Sequence, residues 1–195
     1  MRIFLAGATG VIGTRLLPLL VGAGHEVAGM TRSAAKADQV RAAGAEPFVC
    51  DVYDLDALTA AVVAFRPDLV MHQLTDLPDD AALLPGRAGA NARIRSEGTR
   101  NLIAAARAAG AKHFLAQSIA WEPPAGRDAV IREHEGAVLD IDGVVVRYGQ
   151  FYGPGTYYEG ELPGDPRVHI DDAAARTVSL VDAPSGVVII ADPVD

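Results

Sequence analysis

A single cysteine, Cys50, leaves this 195-residue chain with no disulfide framework and no cysteine-built zinc site. Lysine is nearly as scarce: only Lys36 and Lys112 occur, so arginine carries most of the positive charge. No apolar run approaches the length of a membrane span. The opening apolar stretch from Ile3 to Ala6 meets Gly7 too soon to serve as a signal-peptide core. Basic residues are outnumbered, with a formal net charge of −8 and a pI near 5.0. That balance argues against a general nucleic-acid or anionic-membrane binder, because both present phosphate. The histidines, His25, His72, His113, His134 and His169, lack a metal-ligand spacing backed by carboxylates, so no metal is expected. There is no repeat of solenoid period and no low-complexity tract beyond a general richness in alanine. These absences leave a soluble protein of a reducing compartment, most simply the cytoplasm, with neither nucleic acid nor membrane as a partner.

What is present suits one folded domain: 50% of residues are hydrophobic and 22% charged. Short β runs alternate with helix-length segments. Strands are expected over 3–6, 25–30, 46–50, 68–73, 112–117 and 143–147, and helices over 11–23, 33–43, 54–65, 91–109 and 129–139. Ile12, Leu16, Leu19 and Leu20 fall near helical spacing; Ser33 can cap the second helix, and Gly44 and Gly110 end the second and fourth. Strict alternation with continuously apolar strands predicts an α/β fold, a parallel sheet covered by helices on both faces. Right-handed crossovers then favour the doubly wound, Rossmann-type sheet, whose ligands sit beyond the carboxyl ends of the strands. After Gly149, glycine and proline crowd residues 151–167, which reads as loop. Asp171 or Asp172 can cap a last helix running to 180, and 187–190 reads as a final strand. Residues 1–150 are thus the expected nucleotide-binding domain, and 151–195 a small, reduced substrate-side subdomain packed on it.

The segment Gly7-Ala8-Thr9-Gly10-Val11-Ile12-Gly13 follows the first strand and opens the first helix. Gly7 permits the sharp turn, Gly10 lets backbone approach a pyrophosphate, and Gly13 lets the helix pack closely on the sheet. The helix start supplies unpaired N–H groups, with those of Thr9, Val11 and Ile12 in this stretch, and partial positive charge for phosphates. The acidic residue that would bind a ribose 2′-hydroxyl at the end of the second strand is absent; the sequence there is Met30-Thr31-Arg32-Ser33. Arg32 suits a 2′-phosphate, with Ser33 adding a hydrogen bond, so NADP is expected over NAD. The alternative is that Arg32 is solvated or stacks on the adenine. Asp51 is placed to meet the adenine amino group and Val52 its ring, unless Asp51 caps the next helix. Gln73, Leu74 and Thr75 follow the fourth strand and would line the adenosine or nicotinamide-ribose path.

Taken in order, these motifs resemble the short-chain dehydrogenase/reductase superfamily, in its extended or atypical branch of NAD-dependent epimerase/dehydratase proteins. The resemblance continues through Asn91, Glu97-Gly98-Thr99-Arg100-Asn101-Leu102, Ser118, Arg147-Tyr148-Gly149-Gln150-Phe151-Tyr152-Gly153-Pro154-Gly155 and Val168-His169-Ile170-Asp171-Asp172-Ala173-Ala174. It implies nicotinamide dinucleotide binding and a catalytic Ser, Tyr and Lys, with the Lys four residues after the Tyr. Ser118 matches the serine. The other two positions fall near Arg127 and Ile131, and neither lysine follows a tyrosine by four. Arginine does not easily act as an acid near neutral pH. The implied function is an NADP-binding oxidoreductase acting on a small carbonyl or hydroxyl compound, with Ser118 orienting the substrate oxygen and Tyr148 or Tyr152 supplying the proton. Its rival is a non-catalytic dinucleotide sensor or scaffold that has lost the Tyr and Lys. Only 156–168 separates the last two motifs, which predicts a smaller or more open substrate pocket.

Other candidates have plainer readings. Glu133-His134-Glu135 reads as a solvated helix face and His72 as strand-end packing. Tyr157, Tyr158 and Trp121 read as pocket or interface walls. The alanine-rich helix over 91–109 allows close packing on the sheet or in a homodimer.

Overall fold

The computed structural model describes residues 1–78, 80–123, 126 and 128–193. Seven parallel strands form the main sheet: β1 (Arg2–Ala6), β2 (Glu26–Thr31), β3 (Glu46–Val49), β4 (Leu69–His72), β5 (His113–Ile119), β6 (Val144–Tyr148) and β9 (Gly186–Ile190). Their order is β3-β2-β1-β4-β5-β6-β9, so the chain builds outward from β1, returns beside it, and builds the other way. The reversal lies between β1 and β4, where Ala6 pairs with His72. This is the expected doubly wound sheet.

Strand pleating sorts the apolar side chains into two layers. Ile3, Leu5, Met71 and Val146 pack with Leu16 and Leu20 of α1 (Gly13–Gly22) and Ala173 of α7 (Ile170–Val178). Phe4, Val70, Ala116 and Val145 pack with Leu58 of α3 (Leu55–Phe65), Leu102 of α5 (Thr99–Ala109) and Val138 of α6 (Asp128–Leu139). The short α2 (Ala37–Ala42) is preceded by a single turn of tighter helix over Ala34–Lys36. The long helix expected over 91–109 is instead built in three pieces: α4 (Ala88–Arg93), a π-helical turn over Ile94–Gly98, and α5, ending at Gly110 in the left-handed conformation.

The glycine- and proline-rich stretch contains more order than its composition suggests. β7 (Gln150–Tyr152) and β8 (Arg167–His169) pair in parallel as a separate two-stranded sheet. The cap of α7 is His169, whose Nδ1 accepts the Asp171 N–H at 3.3 Å. Asp171 and Asp172 lie in the first turn, where they favour the helix dipole, and Asp171 pairs with Arg15 of α1 at 2.7 Å. No described helix is long and apolar enough to cross a membrane.

The solvated face expected for 133–135 is corrected at two of its three positions: His134 and Glu135 are 1% and 6% exposed. His134 Nε2 donates to the Gln117 carbonyl at 2.8 Å, which leaves Nδ1 to accept from the Thr99 hydroxyl at 2.7 Å. Thr99 Oγ1 then accepts from His72 Nε2 at 3.1 Å, and His72 Nδ1 accepts the Leu74 N–H at 3.3 Å. Every bond runs in one direction, and both rings are neutral. Burial, then the neighbouring His134 and Arg95, holds His72 well below its ordinary value. Burial first, then Arg95, pushes His134 down to about 4.

Unfolded, each ring titrates near 6.5, so the unfolded chain binds more protons between that value and the folded one. Stability is therefore complete above pH 6.5 and falls as the pH drops toward 4. His134 alone removes about 2 kcal/mol between pH 7.5 and 5, with His72 acting in the same direction. Urea midpoints across that range should fall, and fall less in His134→Gln. A flat profile down to about pH 5 would contradict the neutral relay.

Candidate functional site

The residues just beyond β1 and β4 meet at the reversal of strand order. Gly7 has a φ of +93°, and a Cβ there would stand 2.6 Å from the Gln73 carbonyl oxygen. A Cβ on Gly13 would stand 2.0 Å from the Gly7 carbonyl oxygen, so α1 begins directly on the turn. Gly10 is different: its Cβ would meet only the Gly7 carbonyl oxygen, at 3.4 Å. The fold therefore requires glycine at 7 and 13 and leaves open space at 10. The Gly10 N–H closes the turn on Gly7 at 3.0 Å, whereas those of Thr9, Val11, Ile12 and Gly13 find no acceptor among the described residues. Free donors at a helix start beside an open backbone suit a diphosphate.

The turn is tied to the end of β2. Thr9 Oγ1 and Thr31 Oγ1 lie 3.1 Å apart, and the Ser33 N–H donates to Thr31 Oγ1 at 3.2 Å. Arg32, between them, is half exposed and pairs loosely with Asp76 at 3.5 Å. Beyond β3, Asp51 accepts the Tyr53 N–H at 3.0 Å and stays exposed. Asp54, not Asp51, caps α3 by accepting the Ala57 N–H at 3.0 Å. Val52 is buried against Gly98 and Ile94, which leaves Asp51 as the exposed member of the pair. Beyond β4, Gln73 is buried, Leu74 half-buried and Thr75 exposed. Gln73 Oε1 is buried without a hydrogen-bond partner, while its Nε2 reaches the Tyr148 hydroxyl at 3.4 Å.

The two candidate catalytic residues prove to be committed elsewhere. Ser118 is 3% exposed and its hydroxyl donates to Glu135 Oε1 at 2.5 Å. Arg147 grips that carboxylate with Nε at 2.9 Å and Nη2 at 2.5 Å. Burial works against the Glu135 charge, but Arg147 and Ser118 outweigh it and hold the carboxyl below its ordinary value. A hydroxyl has one proton to donate, and Ser118, expected to orient the substrate oxygen, spends it here on Glu135. Tyr148, expected to supply the proton, is engaged likewise. It points to the opposite face of the sheet, is 2% exposed, and its hydroxyl meets Thr177 Oγ1 at 2.7 Å. Burial pushes its pKa up to about 12.

The three tyrosines that follow β6 are also engaged. Tyr152 donates to Asp192 at 3.0 Å, Tyr157 donates to the Pro78 carbonyl, and Tyr158 reaches Gln150 Oε1 at 3.5 Å. Arg127 lies outside the described residues. Ile131 lines a cleft of about 300 Å³ with Ile119, Trp121, Arg132, Glu135 and Arg147. Glu135 was read only as part of a solvated helix face and Arg147 only within a motif, so their pairing was missed. A charged residue directly after Val144-Val145-Val146 was the available signal, because an arginine on a buried strand requires a partner.

Residues 7–131 match the family described as NAD(P)H-binding. A 3-diazoavenalumate denitrifying reductase from Streptomyces is 37% identical, across 94% of this chain and 73% of its own. That alignment spans 228 residues, more than this chain has, so the reductase carries segments with no counterpart here. Among solved structures, a UDP-glucose 4-epimerase of Thermus thermophilus in complex with NAD aligns with a TM-score of 0.79 at 22% identity, covering 98% of this chain and 78% of that one. A Bacillus halodurans protein named as a putative NAD-dependent epimerase/dehydratase aligns with a TM-score of 0.76 at 20% identity, covering 99% of this chain and 94% of that one.

The glycines separate folding from binding. Gly10→Ala should keep its urea midpoint while losing about tenfold or more in affinity for either dinucleotide, read by fluorescence titration. Gly13→Ala should lose about 1–3 kcal/mol of stability through overpacking. Equal stability losses in the two variants would contradict the assignment of the open space.

Proposed function

The chain belongs to the NAD(P)H-binding family, and from that premise we propose a reductase that prefers NADPH and reduces a small acceptor needing no proton from the protein. The bound dinucleotide would supply a hydride. The amides of Thr9, Val11, Ile12 and Gly13 would hold its diphosphate, with Gly10 allowing the approach. Arg32 and Ser33 would hold the 2′-phosphate, since the guanidinium is half exposed and no acidic residue stands at the end of β2. Asp51 would accept from the adenine amino group, and Gln73, Leu74 and Thr75 would line the path toward the nicotinamide.

One observation carries the choice of acceptor. The hydroxyls at the ends of β5 and β6 are both committed, Ser118 to Glu135 and Tyr148 to Thr177. A carbonyl that receives hydride also needs a proton at its oxygen, and neither group is free to give one. An arenediazonium makes no such demand. Its carbon takes the hydride, the carbon–nitrogen bond breaks, and the electron pair leaves with dinitrogen. The Streptomyces relative, a denitrifying reductase of a diazo compound by name, makes this acceptor class the natural one to test. The same commitments also favour a second reading, a protein that binds NADPH without turning it over.

Assays with an arenediazonium salt and a panel of aldehydes and ketones separate these readings. NADPH oxidation with release of dinitrogen is expected for the diazonium, above the background set by Gly10→Ala, and none for the carbonyls. Binding without oxidation of either class would leave the sensor. Tyr148→Phe should retain turnover and lose about 1 kcal/mol of stability. Arg32→Ala should weaken NADPH about tenfold, close to one charge-assisted hydrogen bond, and spare NADH. Equal losses for both dinucleotides would refute the 2′-phosphate assignment.

A further inference from the structure

The group beside Arg32 has a consequence for cofactor choice. Asp76 stands in the loop after β4, outside the motifs expected to select the ribose. Its own N–H donates to Asn91 Oδ1 of α4 at 3.2 Å, which anchors the loop against that helix. Its carboxylate is 22% exposed and lies 3.5 Å from Arg32 Nη2. Tyr53 shares this corner. Its hydroxyl is buried without a hydrogen-bond partner, and the Arg93 guanidinium lies 3.7 Å over its ring. Arg93, Asp76, Arg32 and Asp51 all act electrostatically on that phenol, so these charges converge where β2, β3 and β4 end.

We infer that Asp76 is a specificity-determining residue that limits the preference for NADPH: its carboxylate competes with the 2′-phosphate for Arg32 and accepts from the 2′-hydroxyl of NADH. The inference rests on the proposed binding of the 2′-phosphate at Arg32. A phosphate monoester carries about −1.5 to −2 charges near neutrality, so it is drawn to the guanidinium and repelled by the carboxylate at its side. A ribose 2′-hydroxyl meets the reverse situation. It gains little from Arg32 and finds in Asp76 the acidic acceptor that doubly wound dinucleotide folds usually supply from the end of the second strand. Here that acceptor would come from the fourth strand's loop. Arg32 and Asp76 therefore pull the selection in opposite directions from one corner. The pair is long and Arg32 is half exposed, so the guanidinium can leave Asp76 for a ligand at small cost.

The test is dinucleotide binding by the full chain, read by fluorescence titration and by thermal shift with adenosine 2′,5′-bisphosphate and ADP as fragments. The wild-type chain should bind NADPH several-fold tighter than NADH. Asp76→Asn keeps the shape of the side chain. It should strengthen NADPH and the 2′,5′-bisphosphate about tenfold while weakening NADH and leaving the ligand-free melting temperature unchanged. Arg32→Ala should reverse the order of the two dinucleotides, because Asp76 then acts alone. If Arg32→Ala selectively weakens NADPH but Asp76→Asn leaves the NADPH-to-NADH ratio unchanged, the inference is overturned and the 2′-phosphate reading stands. If Arg32→Ala weakens both dinucleotides equally, or neither dinucleotide binds, the reading and the inference fall together.

Discussion

Where β1 and β4 separate, the backbone of Gly7 lies against the Gln73 carbonyl, and α1 starts against the Gly7 carbonyl through Gly13. These contacts leave no room for a Cβ on either glycine. Close packing of this kind transmits rather than absorbs displacement, so the exits of the first and fourth strands and the start of the first helix act as one rigid piece. The free amides of Val11, Ile12 and Gly13 are consequently oriented before any ligand arrives. Preorganised donors lose little freedom on binding, which is why a short turn can dominate the recognition of a large cofactor. Thr9 extends the same rigidity to β2 through Thr31, and so to Arg32.

Strand pleating decides what else can face that turn. Successive residues on β5 and β6 point to opposite layers, so Ser118 and Arg147 project toward α6 while Tyr148 projects toward α7. Ser118 and Tyr148 are buried, Arg147 is part-exposed, and each set of polar atoms is satisfied by a helix: Glu135 on one side, Thr177 on the other. A buried polar atom without a partner costs about 1–3 kcal/mol. These bonds therefore hold α6 and α7 to the sheet, and the same bonds absorb the hydroxyls that an acid–base reaction would need. The relay of His72, Thr99 and His134 repeats the pattern deeper in the α5 and α6 layer.

The glycine turn was legible in the sequence because its cause is local: glycine is forced by backbone contacts within a few residues and one neighbouring strand. The layer order was legible for a similar reason, since alternation and apolar strands leave few topologies. The commitments of Ser118 and Tyr148 were not legible. Their partners lie 17 and 29 residues away, on helices whose rotation no local pattern fixes. His134 and Glu135 looked solvated because polar residues adjoin them, yet His134 and Val138 are one helical turn apart and both are buried. That spacing was the signal. The β7 and β8 strands span three residues each amid glycine and proline, too short for periodicity to register. Asp76 had no signal, because its place beside Arg32 comes only from the fold.

The scarcity of lysine and the state of Ser118 bear on the same chemistry. An ammonium beside a phenol can lower its pKa and pass a proton, whereas a guanidinium keeps its protons at neutral pH. At the end of β5 the charged pair is Arg147 with Glu135, and each holds the other ionised: the bond raises the arginine's affinity for its proton and lowers the carboxyl's. For Glu135 to become an acid it would first have to accept a proton, and that would weaken two hydrogen bonds to Arg147. For Ser118 to donate to a substrate it would have to leave a carboxylate that is its strongest available acceptor. The better this triad holds α6 to the sheet, the less it can deliver a proton. Anchoring and acid catalysis therefore compete for these three side chains, and the hydrogen bonds in this structure are spent on anchoring.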